Sequence, residues 1–244
     1  YVDYVVIQHA LYSGGATIAA NVAYLADNGV KVILVVGWWD VWPFPDTGVT
    51  SWRELDRQDV LYGMNATETV KYRINGLFAN VDPADVWGVC ISEEEPGLGP
   101  SGYNTPWAIP AYYMNYFYDW FKEAYPDLMV FQWPSPTEFL TEQQEHGYYV
   151  KADGILYDNY AQDLTFIRET ARLLKEQYPD GPLIFLTAAH NDLEWGTPHP
   201  PSYTREALYA VAEYAEMIGF FCYSESNMEG WLDPFDQYFL ALEL

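Results

Sequence analysis

The chain has 244 residues, half of them apolar and 18% aromatic, and a formal net charge of −24 from thirty-five acidic and only eleven Lys and Arg side chains. That apolar content excludes a disordered chain and supplies the core of a sizeable domain. The charge excludes a surface for phosphates or anionic lipids, which needs clustered cations, and suits a protein kept soluble at high salt or at low pH.

Residues 2–8 (VDYVVIQ) predict a strand. The segment after it carries Ile18, Val22 and Leu25 on one helical face and stops at Asn28-Gly29. Residues 30–37 (VKVILVVG) are a continuous apolar run, as in a parallel strand buried on both faces. A long aromatic loop follows over 38–52. Asn65 and Glu68 fit a capping box, ahead of a helix with Val70, Ile74, Leu77, Phe78 and Val81 on one side. Further strands are predicted over 86–92, 128–136, 152–160, 182–190 and 220–226, and helices over 110–127, 164–180 and 204–219. The tail from Asp233 predicts a last helix.

Two stretches echo each other. KEAYPD at 122–127 and KEQYPD at 175–180 each end a helix ahead of a strand. The same helix-to-strand joint built twice points to a repeating βα architecture. Seven strands alternating with helices, without a Gly-rich nucleotide loop after any of them, predict an α/β chain of the (β/α)8 TIM-barrel type rather than a doubly wound sheet. The eighth strand, the first of the barrel, either precedes Tyr1 or lies inside a loop. With no linker or low-complexity run, residues 1–244 read as a single domain. The chain opens directly in a strand-like stretch with no leader and no Met, which reads as a mature or trimmed chain. No run is long enough to span a membrane.

Active sites of such barrels gather where strands end and βα loops begin. The predicted strand ends deliver Gln8 and His9; Trp38, Trp39 and Asp40; Glu93, Glu94 and Glu95; Gln132 and Trp133; Tyr157, Asp158, Asn159 and Tyr160; His190, Asn191, Asp192, Glu194 and Trp195; and Tyr223, Glu225 and Asn227. Carboxylates, amides and indoles on one rim are the inventory of a glycoside hydrolase: one carboxyl protonates the leaving oxygen, a second attacks the anomeric carbon or activates water, and aromatic rings hold the sugar.

The segment VWGVCISEEEP (86–96) resembles the fourth-strand segment of retaining glycoside hydrolases of clan A, such as the family-5 cellulases. There a strand of the type V-x-G-apolar ends in Asn-Glu-Pro. The resemblance implies that Glu95, before Pro96, is the acid/base, and that Glu94 stands where the family has a sugar-binding Asn. The last strand, IGFFCYSESN (218–227), is similar to that clan's aromatic eighth strand, which places Tyr223 or Glu225 near the substrate. The strand at 182–190 is then the seventh, whose end bears the nucleophile, with Glu194 the nearest carboxylate and Glu225 its rival. Glu93, Trp38, Trp39, Trp133, Asp158, Tyr160, His190, Asn191 and Trp195 complete the expected substrate-binding set.

Other readings stay open on the residues alone. Glu93–Glu95 also suit an acidic turn. Asp158 suits an Asx-turn, or the centre of an inverting or α-specific hydrolase. Glu94 in place of Asn suits a non-catalytic carbohydrate-binding or surface-layer protein on a degenerate barrel. His9, His146, His190 and His199 have no metal-ligand spacing, and no Gly-x-Ser-x-Gly elbow is present. Cys90 and Cys222 read as buried thiols, and Asn65-Ala66-Thr67 is a formal glycosylation acceptor. The expectation is a secreted enzyme acting on a β-linked polysaccharide or oligosaccharide, without cofactor, metal, nucleic-acid partner or membrane span.

Overall fold

A computed structural model of the chain describes residues 3–7, 10, 15–36, 66–91, 111–134, 149–159, 163–188 and 201–221. The aromatic loop 38–52, Asn65 with its capping and glycosylation roles, Cys222, the four histidines and the tail from Asp233 lie outside these residues. The chain divides into two compact units, Tyr1–Asp153 and Gly154–Leu244.

In the first unit, β1 (Tyr4–Ile7), β2 (Lys31–Val35), β3 (Gly88–Cys90) and β4 (Met129–Gln132) pair in chain order, all parallel. Helices α1 (Gly15–Asp27), α2 (Ala66–Phe78) and α3 (Ala111–Ala124) stand between them in sequence. In the second unit, β5 (Gly154–Asn159), β6 (Leu183–Ala188) and β7 (Met217–Phe221) also pair in parallel and in chain order, with α4 (Leu164–Gln177) and α5 (Pro201–Val211) between them. Neither unit reverses its strand order, as a doubly wound sheet does at its switch point. This is the (β/α)-barrel class predicted above, with seven strands among the described residues.

Local chemistry explains the boundaries. Helix α1 stops because Gly29 takes φ 77°. This lets the Val30 N–H reach the Leu25 carbonyl at 3.0 Å and the Gly29 N–H reach that of Ala26 at 2.9 Å. The apolar run of β2 is covered on both faces, with Val32, Ile33, Leu34 and Val35 all fully buried. The α2 stripe of Val70, Ile74, Leu77 and Phe78 is buried as the periodicity predicted. Helix α4 is capped by Asp163, whose carboxylate accepts from the Phe166 N–H at 2.8 Å.

One boundary differs. The pattern predicted a helix over 204–219 and a strand from 220. Helix α5 instead ends at Val211, whose carbonyl accepts from the N–H groups of Tyr214 (2.8 Å) and Ala215 (2.9 Å). Strand β7 begins at Met217. The residue that takes the chain out of helix is Glu216. Its N–H donates to the Leu183 carbonyl at 3.0 Å, and its carboxylate accepts from the Leu183 N–H at 2.7 Å and from Lys175. Two bonds to Leu183 on the neighbouring strand, and one from Lys175, outweigh the helical propensity of EYAEM.

The echoed KEAYPD and KEQYPD stretches prove to be one device used twice. In the first unit, Lys122 Nζ donates to the Leu128 carbonyl at 2.9 Å and to Asp153 at 3.0 Å. In the second, Lys175 Nζ donates to the Gly181 carbonyl at 2.8 Å and to Glu216. Each carboxylate also accepts from the backbone N–H at the start of the preceding strand, Val130 at 2.9 Å and Leu183 at 2.7 Å. Each carboxylate residue returns its own N–H to the carbonyl of that same residue. The lysine thus ties a helix end, one strand start and the residue ahead of the next strand into a single clamp.

Helix α3 reinforces its clamp. Its buried face is Met114, Phe117 and Phe121. Its polar stripe, at i, i+3, i+4 and i+7, is Asn115, Tyr118, Asp119 and Lys122. Asn115 spans the Tyr149 carbonyl (2.9 Å) and the Lys151 N–H (2.7 Å), Asp119 pairs with Lys151 at 2.7 Å, and the Tyr118 hydroxyl donates to Asp153 at 2.7 Å. Burial first, and then the Asp153 and Asp119 charges, push the Tyr118 phenol up, so it remains a donor.

The clamp carries a pH signature. Burial works against the Glu216 charge, but the Lys175 ammonium and the Leu183 N–H outweigh it and hold the carboxyl below its ordinary 4.5. A lowered folded value means that the unfolded chain binds the proton first, so the contribution is present above pH 4.5 and disappears as pH falls through the lower folded value. In urea unfolding, Glu216→Gln is expected to cost about 1 kcal/mol at pH 7 for this half-exposed group, and to flatten the acid limb of the stability curve below pH 4.5. A second expectation follows from charge. Lys122, Lys151, Arg168, Arg172 and Lys175 are all committed to ion pairs, which leaves most carboxylates to repel one another. Calorimetry from about 0.01 M to about 1 M NaCl should therefore show the Tm rising, as self-repulsion is screened.

Candidate functional site

Among the predicted site residues, Trp133 and Asp158 are described. Glu93, Glu94, Glu95, Trp38, Trp39, Tyr160, His190, Asn191, Glu194, Trp195, Tyr223 and Glu225 lie outside the described residues. What the structure supplies is the strands that precede them in sequence.

Strand β3 leads to the three glutamates. Its residues Gly88, Val89 and Cys90 are fully buried, as is Ile91 after it. Gly88 has a packing reason to be glycine. A Cβ there would lie 2.6 Å from Phe131 Cε2 and 2.7 Å from the Met129 carbonyl oxygen. The Phe131 ring fills that space and meets Trp87 edge-on at 5.1 Å, while Lys31 Nζ covers the Trp87 ring at 4.3 Å. The Gly of the V-x-G pattern thus lets β3 and β4 approach each other.

At the end of β4, Gln132 is buried and donates to the Lys151 carbonyl at 3.3 Å. Trp133 is 1% exposed. An indole so covered shows no face to solvent, so it serves the core, and the stacking role expected of it has no ring surface available.

Strand β5 is the informative one in the second unit. The Asn159 amide donates to the Tyr157 hydroxyl at 3.1 Å, and that hydroxyl also bonds the Thr170 side chain on α4. Burial pushes the Tyr157 phenol well up, against the pull of these two bonds, and keeps it neutral. Tyr157 and Asn159 therefore face the helices, together with Phe185, which stacks on Tyr157 at 5.3 Å. Strand alternation turns Asp158 to the opposite face, the inner face in barrels of this class. Asp158 is 7% exposed. The sequence reading named Asp158 but not the pairing behind it, because a run with both faces buried has no visible phase. Among the described residues there is no group of three metal-ligating side chains, and no helix long and apolar enough to cross a membrane.

The fold has known counterparts. Solved structures similar to this chain include a psychrophilic family-10 endo-β-1,4-xylanase, with a TM-score of 0.65 and 9% identity over 99% of this chain and 88% of that one. The family-26 domain of an endo-β-mannanase/endo-β-glucanase from Prevotella bryantii gives 0.60 and 12% over 98% and 80%. Xylanase 10B from Thermotoga maritima gives 0.55 and 14% over 92% and 77%. At these identities the likeness is one of fold. No family profile and no curated protein sequence matches the chain.

Gly88→Ala tests the approach of β3 to β4. Overpacking against Phe131 is expected to cost about 1–3 kcal/mol, read as a lower urea midpoint with an unchanged m-value.

Proposed function

We propose that this chain is a secreted glycoside hydrolase that cleaves β-linked glucan, in the manner of an endo-β-1,4-glucanase, by a retaining two-carboxylate mechanism. The observation that carries this reading is the parallel βα order, which it shares with solved glycoside hydrolases, combined with three glutamates that follow the buried strand β3 in sequence after Ile91 and Ser92. In barrels of this class the chemistry sits at strand ends.

Glu95 is assigned as the acid/base. Glu194 is the nucleophile, with Glu225 the alternate. In the first step the nucleophile bonds to the anomeric carbon as Glu95 gives its proton to the departing oxygen. In the second, Glu95 takes a proton from water as that water displaces the nucleophile. Trp38, Trp39, Trp195, Tyr160 and Tyr223 would stack on sugar rings, and Glu93, Glu94, His190 and Asn191 would bond hydroxyls. No step needs a metal or cofactor.

Turnover of a soluble β-1,4-glucan is the direct test. Glu95→Gln should lower kcat by about 10²–10⁴-fold, and of Glu194→Ala and Glu225→Ala the nucleophile variant should lose the burst of glycosyl-enzyme formation. Unchanged turnover in Glu95→Gln sinks the assignment. Glycan binding without turnover in the unaltered chain would instead make it a non-catalytic carbohydrate-binding barrel, for which Glu94 in place of Asn already speaks.

A further inference from the structure

Asp158 stands apart from the other buried polar groups of β5. Its neighbours Tyr157 and Asn159 are bonded to each other and tied to α4. Asp158 faces the other way and, among the described residues, no N–H, hydroxyl or cation bonds its carboxylate. The residues on its own face carry no donor: Leu156 on its strand, Leu186 in register on β6, and Gly219 in register with Leu186 on β7. A carboxylate this buried ordinarily finds donors within the protein. Folding alone would favour an apolar residue here.

We propose that Asp158 is a ligand-gripping carboxylate whose missing donors are two hydroxyls of an uncharged glycan, and that the Tyr157–Asn159 pair is the positioning device behind it. The assignment rests on the glycan reading above and deepens it. Two carboxylate oxygens accept two O–H groups in charge-assisted hydrogen bonds, and vicinal sugar hydroxyls supply such a pair without adding charge. A hard cation would need several oxygen ligands, whereas among the described residues the strand face around Asp158 offers side chains of Leu and no second side-chain oxygen. The hydrogen-bonded phenol and amide fix the strand from the helix side, so the carboxylate is held at one depth before ligand arrives.

The test pairs stability with binding. Asp158→Asn keeps the shape and removes the charge. In the ligand-free protein it should leave the Tm unchanged or raise it, because no bond from a described residue to the carboxylate is lost. By calorimetric titration, its affinity for whichever of cellotetraose, xylotetraose and mannotetraose the unaltered chain binds should fall about tenfold to a hundredfold. Tyr157→Phe should weaken the same binding less. Combined with Asp158→Asn it should add nothing, since its effect passes through that carboxylate. A lower Tm in ligand-free Asp158→Asn shows a structural carboxylate and overturns the proposal. So does unchanged affinity, or a chain that binds only amine-bearing sugars. Asp158-dependent binding without any turnover leaves this proposal standing and sinks the hydrolase mechanism alone.

Discussion

The structure depends on how its strands begin. In each unit one lysine reaches from a helix end to a carboxylate ahead of the next strand, and that carboxylate exchanges bonds with the strand before it. Parallel strands joined through helices have no tight turn to set their register. The clamp supplies that register. The side-chain period of a strand is two, so a slip of one residue would exchange the two faces. In the second unit the exchange of bonds between Glu216 and Leu183 fixes β7 on β6 in this way. In barrels of this class the strand starts are the end that serves stability.

The two ends treat charge in opposite ways. At the starts, carboxylates are paired: Asp153 has Lys122, the Tyr118 hydroxyl and the Val130 N–H, and Glu216 has Lys175 and the Leu183 N–H. At the end of β5, Asp158 has no such partner among the described residues. Among the described residues, Lys122 and Lys175 pair with carboxylates at strand starts, while no cation bonds Asp158. A group already satisfied by the protein has nothing to offer a ligand, and this contrast is what the ligand role proposed for Asp158 rests on.

Much of this was legible in the residues. Continuous apolar runs such as VKVILVVG announced strands covered on both faces, Asn28-Gly29 announced a helix stop, and the repeated Tyr-Pro-Asp announced a repeated joint. What escaped was long-range. Lys175 and Glu216 are forty-one positions apart, so nothing local warned that Glu216 would leave the helix and open β7. Strand phase was also hidden, because a segment apolar on both faces does not say which residues look inward. Only the bond from Asn159 to Tyr157, and from Tyr157 to Thr170, sets that phase. Trp133 shows the limit from the other side. A tryptophan at a strand end satisfies the pattern for a sugar platform and for core equally well, and burial decides between them.

The likeness in fold to xylanases and a mannanase at 9–14% identity has a physical reading. What two such chains must share is periodicity, parallel order and a means of fixing register, none of which demands particular residues. Gly88 is a case where the demand is particular, since the Phe131 ring and the Met129 carbonyl leave no room for a Cβ. Asp158 obeys a different constraint. Leu156 shares its face of β5 and Leu186 stands in register with it on β6, so packing alone would be served as well by an apolar residue there.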